Sequence, residues 1–161
     1  MSNFKPNYFQ RRSKPQGPKA NERIKALDVQ VIGSQGNNLG VMQGRLLPKY
    51  KGRYQAHPCG YWEEEFKLAS SFNLKHIEFI LDHDDYELNP LMTISGLDKI
   101  RSISSETGVT VKTICADYFM DNPIHINGCK NNYSLNFFIY LIKIAKKLNI
   151  KNIILPCVDQ S

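Results

Sequence analysis

The stretch KHIEFILDHDDYELNPLM, residues 75–92, sets an apolar run against a polar, acid-rich loop. Ile77, Phe79, Ile80 and Leu81 are broken only by Glu78. A run this continuous has both faces buried, as in a parallel sheet covered by helices, rather than the alternation of a half-solvated strand. Similar runs stand at Gly40–Met42, Thr110–Ala116 and Asn152–Val158, with Ile153–Val158 reading IILPCV. Their starts lie roughly 35–40 residues apart, enough for a crossover helix between parallel strands.

Three helical patterns fill the gaps. Trp62, Phe66, Ala69 and Phe72 recur at helical spacing, with Glu63, Glu64 and Glu65 in the first turn, where acids favour the helix dipole. Leu97, Ile100 and Ile103 follow Ser95, placed to cap, and that helix is expected to end near Gly108. Phe137, Phe138, Leu141, Ile144, Ala145 and Leu148 follow Ser134, with Lys146 and Lys147 in the last turn. The order βαβαβαβ leaves a (βα) barrel or an open doubly wound sheet. The first βα turn lacks G-x-G-x-x-G and no strand is followed by G-x-x-x-x-G-K-[ST], which disfavours a nucleotide-binding open sheet. Long polar loops after the first three strands suit a barrel, whose site residues sit at the carboxyl ends of its strands.

Those ends carry the candidates. Gln43 and Arg45 follow the first strand, and an Arg there can hold a hydroxyl or a phosphate, or serve only the loop. Glu78 lies within the second strand; a carboxylate pointing into a barrel is material for a polar site, since a buried charge must find a partner. Asp117 and Asp121 flank YFM after the third strand, and Asp159 and Gln160 follow the fourth. Each can accept a hydrogen bond from a ligand hydroxyl, although loop acids are commonly solvated or capping. The run Asp82, His83, Asp84, Asp85 has metal-binding residue types, but successive loop residues seldom converge on one ion and the spacing fits no EF-hand or H-E-x-x-H pattern. It reads as a solvated loop. His57, His76 and His125 are isolated and read as structural, and Tyr61 and Trp62 as core.

Charge marks a different region. Residues 1–25 hold Lys5, Arg11, Arg12, Lys14, Lys19, Arg23 and Lys25 against Glu22, so seven minus one accounts for the whole net charge of +6. Pro6, Pro15, Gly17 and Pro18 share that segment with little to bury, so it is expected to be a disordered basic leader (1–25). Such charge suits RNA or another polyanion, or simply solubility. The leader lacks the run of about 7–15 apolar residues of a secretion signal. The longest apolar run, FFIYLIKIA at 137–145, falls short of the roughly 20 residues of a membrane span. Cys59, Cys115, Cys129 and Cys157 are scattered, without C-x-x-C or zinc spacing, and read mainly as structural thiols. A soluble, cytoplasmic protein with no membrane association is expected. Beyond the leader, Leu27, Val29 and Val31, the turn SQGNN and the run Leu39–Met42 give a hairpin signal across 26–42.

Two resemblances attach to these segments. QGPKANERIKALDVQVIGSQGNNLGVM, with its Asn21-x-x-Ile24 entry, DVQVIG strand and GNNLG turn, resembles the start of the N-terminal domain of bacterial translation initiation factor 3. That resemblance implies contact with the small ribosomal subunit and its RNA, with Arg11, Arg12, Lys14, Lys19, Arg23 and Lys25 as phosphate contacts. Residues 39–161 resemble the sugar phosphate isomerase/epimerase group, barrels similar to xylose isomerase. The carrying stretches are GVMQGRLLP, HIEFILD, ICADYFMDNP and IILPCVDQS. The implied fold is the N-terminal half of a TIM-type (βα) barrel, about four parallel strands and three helices. The implied activity is isomerisation or epimerisation of a sugar or polyol, with a divalent metal held by carboxylates and a His from later strands. On that basis no cofactor and no metal ligands are expected within these residues, and the segment alone is expected to be inactive. With the sheet left open, the edges are expected to favour self-association, for example as a dimer.

Overall fold

The computed structural model describes residues 39–124 and 133–156. The leader, the first strand of the expected hairpin, His125, Cys129, Cys157, Asp159 and Gln160 lie outside them.

Four strands form one sheet in the order β1 (Gly40–Met42), β2 (His76–Ile80), β3 (Thr110–Cys115), β4 (Asn152–Ile154). Every pairing is parallel: Met42 lies opposite Glu78, Glu78 opposite Thr113 and Thr113 opposite Asn152. A register shift between Ile77 and Glu78 lets Lys112 bulge out of the β2–β3 pairing. Among the described residues the sheet is open, and the parallel α/β expectation holds as three consecutive βα units followed by a fourth strand. Leu39–Met42, which doubled as the hairpin's return strand, enters the sheet as β1, parallel to β2.

The expected helices are present as α1 (Glu63–Ser71), α2 (Ile94–Thr107) and α4 (Tyr133–Lys147), and a fourth, short α3 (Tyr118–Asp121), corrects the count of three. The missed helix occupies the loop after β3, where four residues are too few to display a period. Two 3-10 turns, Tyr86–Leu88 and Pro90–Met92, lead into α2. The cap of α2 is Thr93, whose hydroxyl accepts from the Gly96 N–H at 3.0 Å; Ser95, the expected cap, is already inside the helix. Gly108 ends α2 in the left-handed conformation, as its position implied.

Strand pleating sorts the sheet's faces. Ile77, Phe79 and Leu81 of β2 and its extension, with Val111, Ile114 and Ala116, pack with Trp62, Phe66 and Ala69 and with Leu97, Ile100, Leu141 and Ile144. Burying a side chain such as Phe66 or Phe79, both fully enclosed, is worth about 1.5–3 kcal/mol. Phe72, grouped with this face by spacing, instead stands 64% exposed at the end of α1. The opposite face carries Met42, Glu78, Thr113 and Asn152 across its middle row. The helices thus cover one side, and the polar row lies on the other.

Candidate acid-lined site at the strand ends

The carboxyl end of β1 is finished by a side chain. The Gln43 N–H donates to the Glu78 carbonyl at 3.0 Å, continuing the ladder, and the chain then turns away at Gly44. Gln43 Oε1 replaces the missing backbone, accepting the Ile80 N–H at 3.0 Å. The same oxygen lies 3.1 Å from His57 Nδ1. An amide oxygen can only accept, so Nδ1 carries the proton and His57 Nε2 is left with a lone pair. Both Gln43 and His57 are buried, and Gln43 Nε2 and His57 Nε2 have no partner among the described residues. Burial lowers the His57 pKa to about 3, so the ring is neutral.

Residues 44–57 return to the sheet through this network. The buried Glu65 carboxylate accepts the Gly44 N–H at 2.8 Å and the Leu46 N–H at 3.0 Å. At the far end the His57 N–H donates to Asp82 Oδ2 at 2.8 Å, and Arg53 Nη2 stands 3.3 Å from Asp82 Oδ1. Burial raises the Asp82 pKa in spite of these two partners. Asn89 fixes the other side of the β2 terminus, donating through Nδ2 to the Ile80 carbonyl at 2.9 Å.

Asp82 opens onto a cleft of about 150 Å³ lined by Arg53, Asp82, His83, Asp84, Asp117, Met120 and Asp121. Asp117 comes from the end of β3, where its Oδ1 accepts the Cys115 thiol at 3.1 Å. Glu78 belongs to the same acidic field: burial raises its carboxyl pKa, and the nearby Asp117 charge raises it further. The Cys115 thiol is pushed up to about 12, first by burial and then by its bond to Asp117. Tyr118, buried at the start of α3, packs its ring 5.5 Å from that of His83. Larger recesses lie elsewhere, and one of about 290 Å³ on the sheet face takes in Glu78 beside Met42 and Thr113. A groove of about 430 Å³ between α4 and β4 is lined without any carboxylate. An apolar one of about 310 Å³ is lined by Phe119, Phe138, Leu155 and neighbours. Neither of these last two touches the strand-end acids, so size does not mark the chemistry here.

The expected site residues therefore separate. Glu78 and Asp117 come together electrostatically, and Asp121 joins Asp117 in the cleft. Gln43 is at the strand end but wholly enclosed, holding backbone rather than facing solvent. Arg45 is exposed and hydrogen-bonds Gln55 at 3.3 Å within its own loop. The acidic run divides: Asp82 is buried in the site, while Asp85 takes the Tyr50 hydroxyl at 2.9 Å and Lys51 at 2.5 Å. Arg53 carried no expectation, His57 is a buried structural ring on Gln43, and Asp82, read as part of a solvated loop, is instead buried. An apolar strand running directly into Asp82 was the available signal for that residue.

Among the described residues no three His, Cys, Asp or Glu side chains converge so as to hold a metal ion. None of the described helices is long and apolar enough to cross a membrane. Compared with known proteins, the chain matches no family model and no curated protein.

Proposed function

We propose that residues 39–161 are βα units of a sugar isomerase/epimerase-like barrel, and that the cleft at the ends of β2 and β3 grips the hydroxyls of a sugar or polyol. The observation that carries this reading is the gathering of Asp82 and Asp117 at the carboxyl ends of neighbouring parallel strands, with Glu78 inside β2 close enough to feel the Asp117 charge; that end is where barrel enzymes build their sites. Carboxylates accept hydroxyl protons strongly, and Arg53 supplies a donor in the same cleft. Raising the Glu78 pKa by burial and by Asp117 keeps a proton on that carboxyl to a higher pH, the kind of tuning a proton-transfer group requires. The divalent cation implied by the resemblance lacks a three-ligand seat among the described residues, so no step is assigned to it. A cytoplasmic setting accords with the free thiols of Cys59 and Cys115.

Titration of the 15N-labelled chain with a panel of polyols, aldoses and sugar phosphates tests the reading. Amide shifts at Asp82, His83 and Asp117 that saturate, and that Asp117→Asn weakens, support it. A panel that leaves those amides unmoved refutes it.

The charge of the leader favours a second activity, association with the small ribosomal subunit or its RNA through Arg11, Arg12, Lys14, Lys19, Arg23 and Lys25. Such binding must weaken steeply between about 50 and 200 mM salt. Affinity for RNA that survives deletion of residues 1–25 would exclude the leader as its source.

A further inference from the structure

The loop that closes over β1 is built in two parts of different strength. Residues 44–57 form an Ω-shaped excursion whose ends lie together. Its neck is apolar and fixed: Leu47 and Ala56 are buried, and Glu65 holds the amides of Gly44 and Leu46 from within. Gly44 adopts φ +81°, and a side chain there would overlap the carbonyl oxygens of Tyr54 and Ala56, so the neck is also tight.

The tip is different. Tyr50 and Arg53 exchange two backbone hydrogen bonds of 2.9 Å around Lys51 (φ 46°) and Gly52 (φ 81°), a self-contained two-residue turn. A Cβ at Gly52 would meet nothing, so that part of the turn stands in open solvent. What docks it is charge. Arg45, Lys49, Lys51 and Arg53 are the ionised residues of the loop, without an acid among them, and Lys51 and Arg53 reach Asp85 and Asp82, beside the Tyr50 ring, which lies 6.3 Å from that of Tyr61. Lys51 pairs with Asp85 at 2.5 Å, with side chains 51% and 26% exposed, and Tyr50 donates to the same carboxylate oxygen. Arg53 reaches Asp82 at 3.3 Å with half of its own side chain in water. The Lys51–Asp85 pair is exposed, hence weak and screened by salt, while Arg53–Asp82, whose acid is buried, is screened less.

We infer that residues 49–53 are a latch that swings on the fixed neck, held shut by Lys51 and Tyr50 on Asp85 and by Arg53 on Asp82. Opening withdraws Arg53 from the cleft, which then presents Asp82, Asp84, Asp117 and Asp121 without their cation. Closing restores the guanidinium beside Asp82. A ligand that prefers either state shifts the latch by its difference in affinity for the two. This last consequence rests on the reading of the cleft as a ligand site; the latch itself does not.

Backbone 15N relaxation on the full chain, read at Lys51, Gly52 and Arg53 for the tip and at Gly44 and Leu46 for the neck, tests the inference, because the Tyr50–Arg53 bonds travel with the turn and do not report its opening. Raising NaCl from about 20 mM to 1 M shortens the screening length from roughly 20 Å to 3 Å. The order parameters of the tip are then expected to fall from the rigid range of about 0.85 toward 0.6 while those of the neck hold. Asp85→Asn leaves the left-handed backbone at φ 57° comfortable, since Asn tolerates it, and removes only the charge. It is expected to give the low tip order parameters already at low salt and to blunt the salt response, and Lys51→Ala is expected to match it. Tip and neck amides that respond in step, or a tip indifferent to both salt and Asp85→Asn, overturn the latch. Because no ligand enters this measurement, a cleft that binds no polyol leaves its outcome intact.

Discussion

Removing the Glu65 carboxylate is the sharpest test of how the β1–α1 loop is held. In Glu65→Ala the Gly44 N–H, fully enclosed, loses its acceptor, and the half-buried Leu46 N–H loses its own. A buried donor left unpaired costs about 1–3 kcal/mol, and a partly hydrated one about 1 kcal/mol. Relief of the buried charge offsets part of this, and loss of side-chain packing adds to it, giving a destabilisation of about 2–4 kcal/mol. With a urea slope of about 1–3 kcal/mol per molar, the unfolding midpoint falls by roughly 1–2 M. Glu65→Gln keeps one acceptor but turns an NH2 group toward the second amide, so its loss lies below that of the alanine variant. The charge also carries a sign. Burial raises the Glu65 pKa while the amides of Gly44, Leu46 and Arg45 lower it, and burial wins. The folded chain therefore holds that proton more tightly than the unfolded one. The associated stabilisation is complete below the ordinary value of about 4.3 and is lost as pH rises through the raised folded value. Urea melts of the wild type and both variants, at pH 4 and pH 7, measure all of this. A loss under about 1 kcal/mol in Glu65→Ala, with the exchange of the Gly44 and Leu46 amides unchanged, refutes the argument.

Other consequences are as open to measurement. His57 titrates at about 3 in the fold against an ordinary value of 6.5, so it withholds stability as pH falls between those values, at about 1.4 kcal/mol per pH unit. His57→Phe, which keeps a ring against Trp62 and Phe79, is expected to flatten that acid limb in urea melts at pH 7, 6 and 5. Gly96→Ala ordinarily gains up to about 1 kcal/mol in a helix, but here the new methyl overlaps the Pro90 backbone, and a loss of about 2 kcal/mol or more is expected in thermal melts. Leu135, Ile139 and Ile142 form an exposed stripe along α4, with Ile154 of β4 exposed as well. If copies associate through this side, Ile142→Glu shifts sedimentation toward the monomer; an unchanged distribution removes α4 from the contact.

The sheet was readable from the sequence because β-branched and apolar runs such as Ile77–Leu81 carry their burial in their composition. The order of elements followed from spacing alone. What escaped was every bond that joins residues distant in the chain. Glu65 stands in a first turn beside Glu63 and Glu64, and nothing local separates the one that turns inward from the two that face water. Gln43 offered a plausible ligand-facing amide, yet its oxygen is committed to a strand 37 residues away. Asp82 and Asp85 differ by three positions and serve opposite sides of the loop, a division set by where residues 50–57 return. The cap of α2 was displaced by two residues because Thr93 and Ser95 have the same chemistry, and only backbone angles tell them apart.

The Gln43 amide also changes what the chain beyond it is free to do. By lending its own oxygen to the β2 backbone, it lets the main chain leave the sheet a residue early without stranding the Ile80 amide. The end of β1 is thereby uncoupled from the path of the tip, though not from the neck that packs on Gly44. Insertions, deletions or replacement between Lys49 and Tyr54 leave the ladder's terminal bond where it is, provided position 43 keeps a side-chain carbonyl of the right reach. A single glutamine thus acts as a splice point, at which a new loop can be grafted onto an old scaffold.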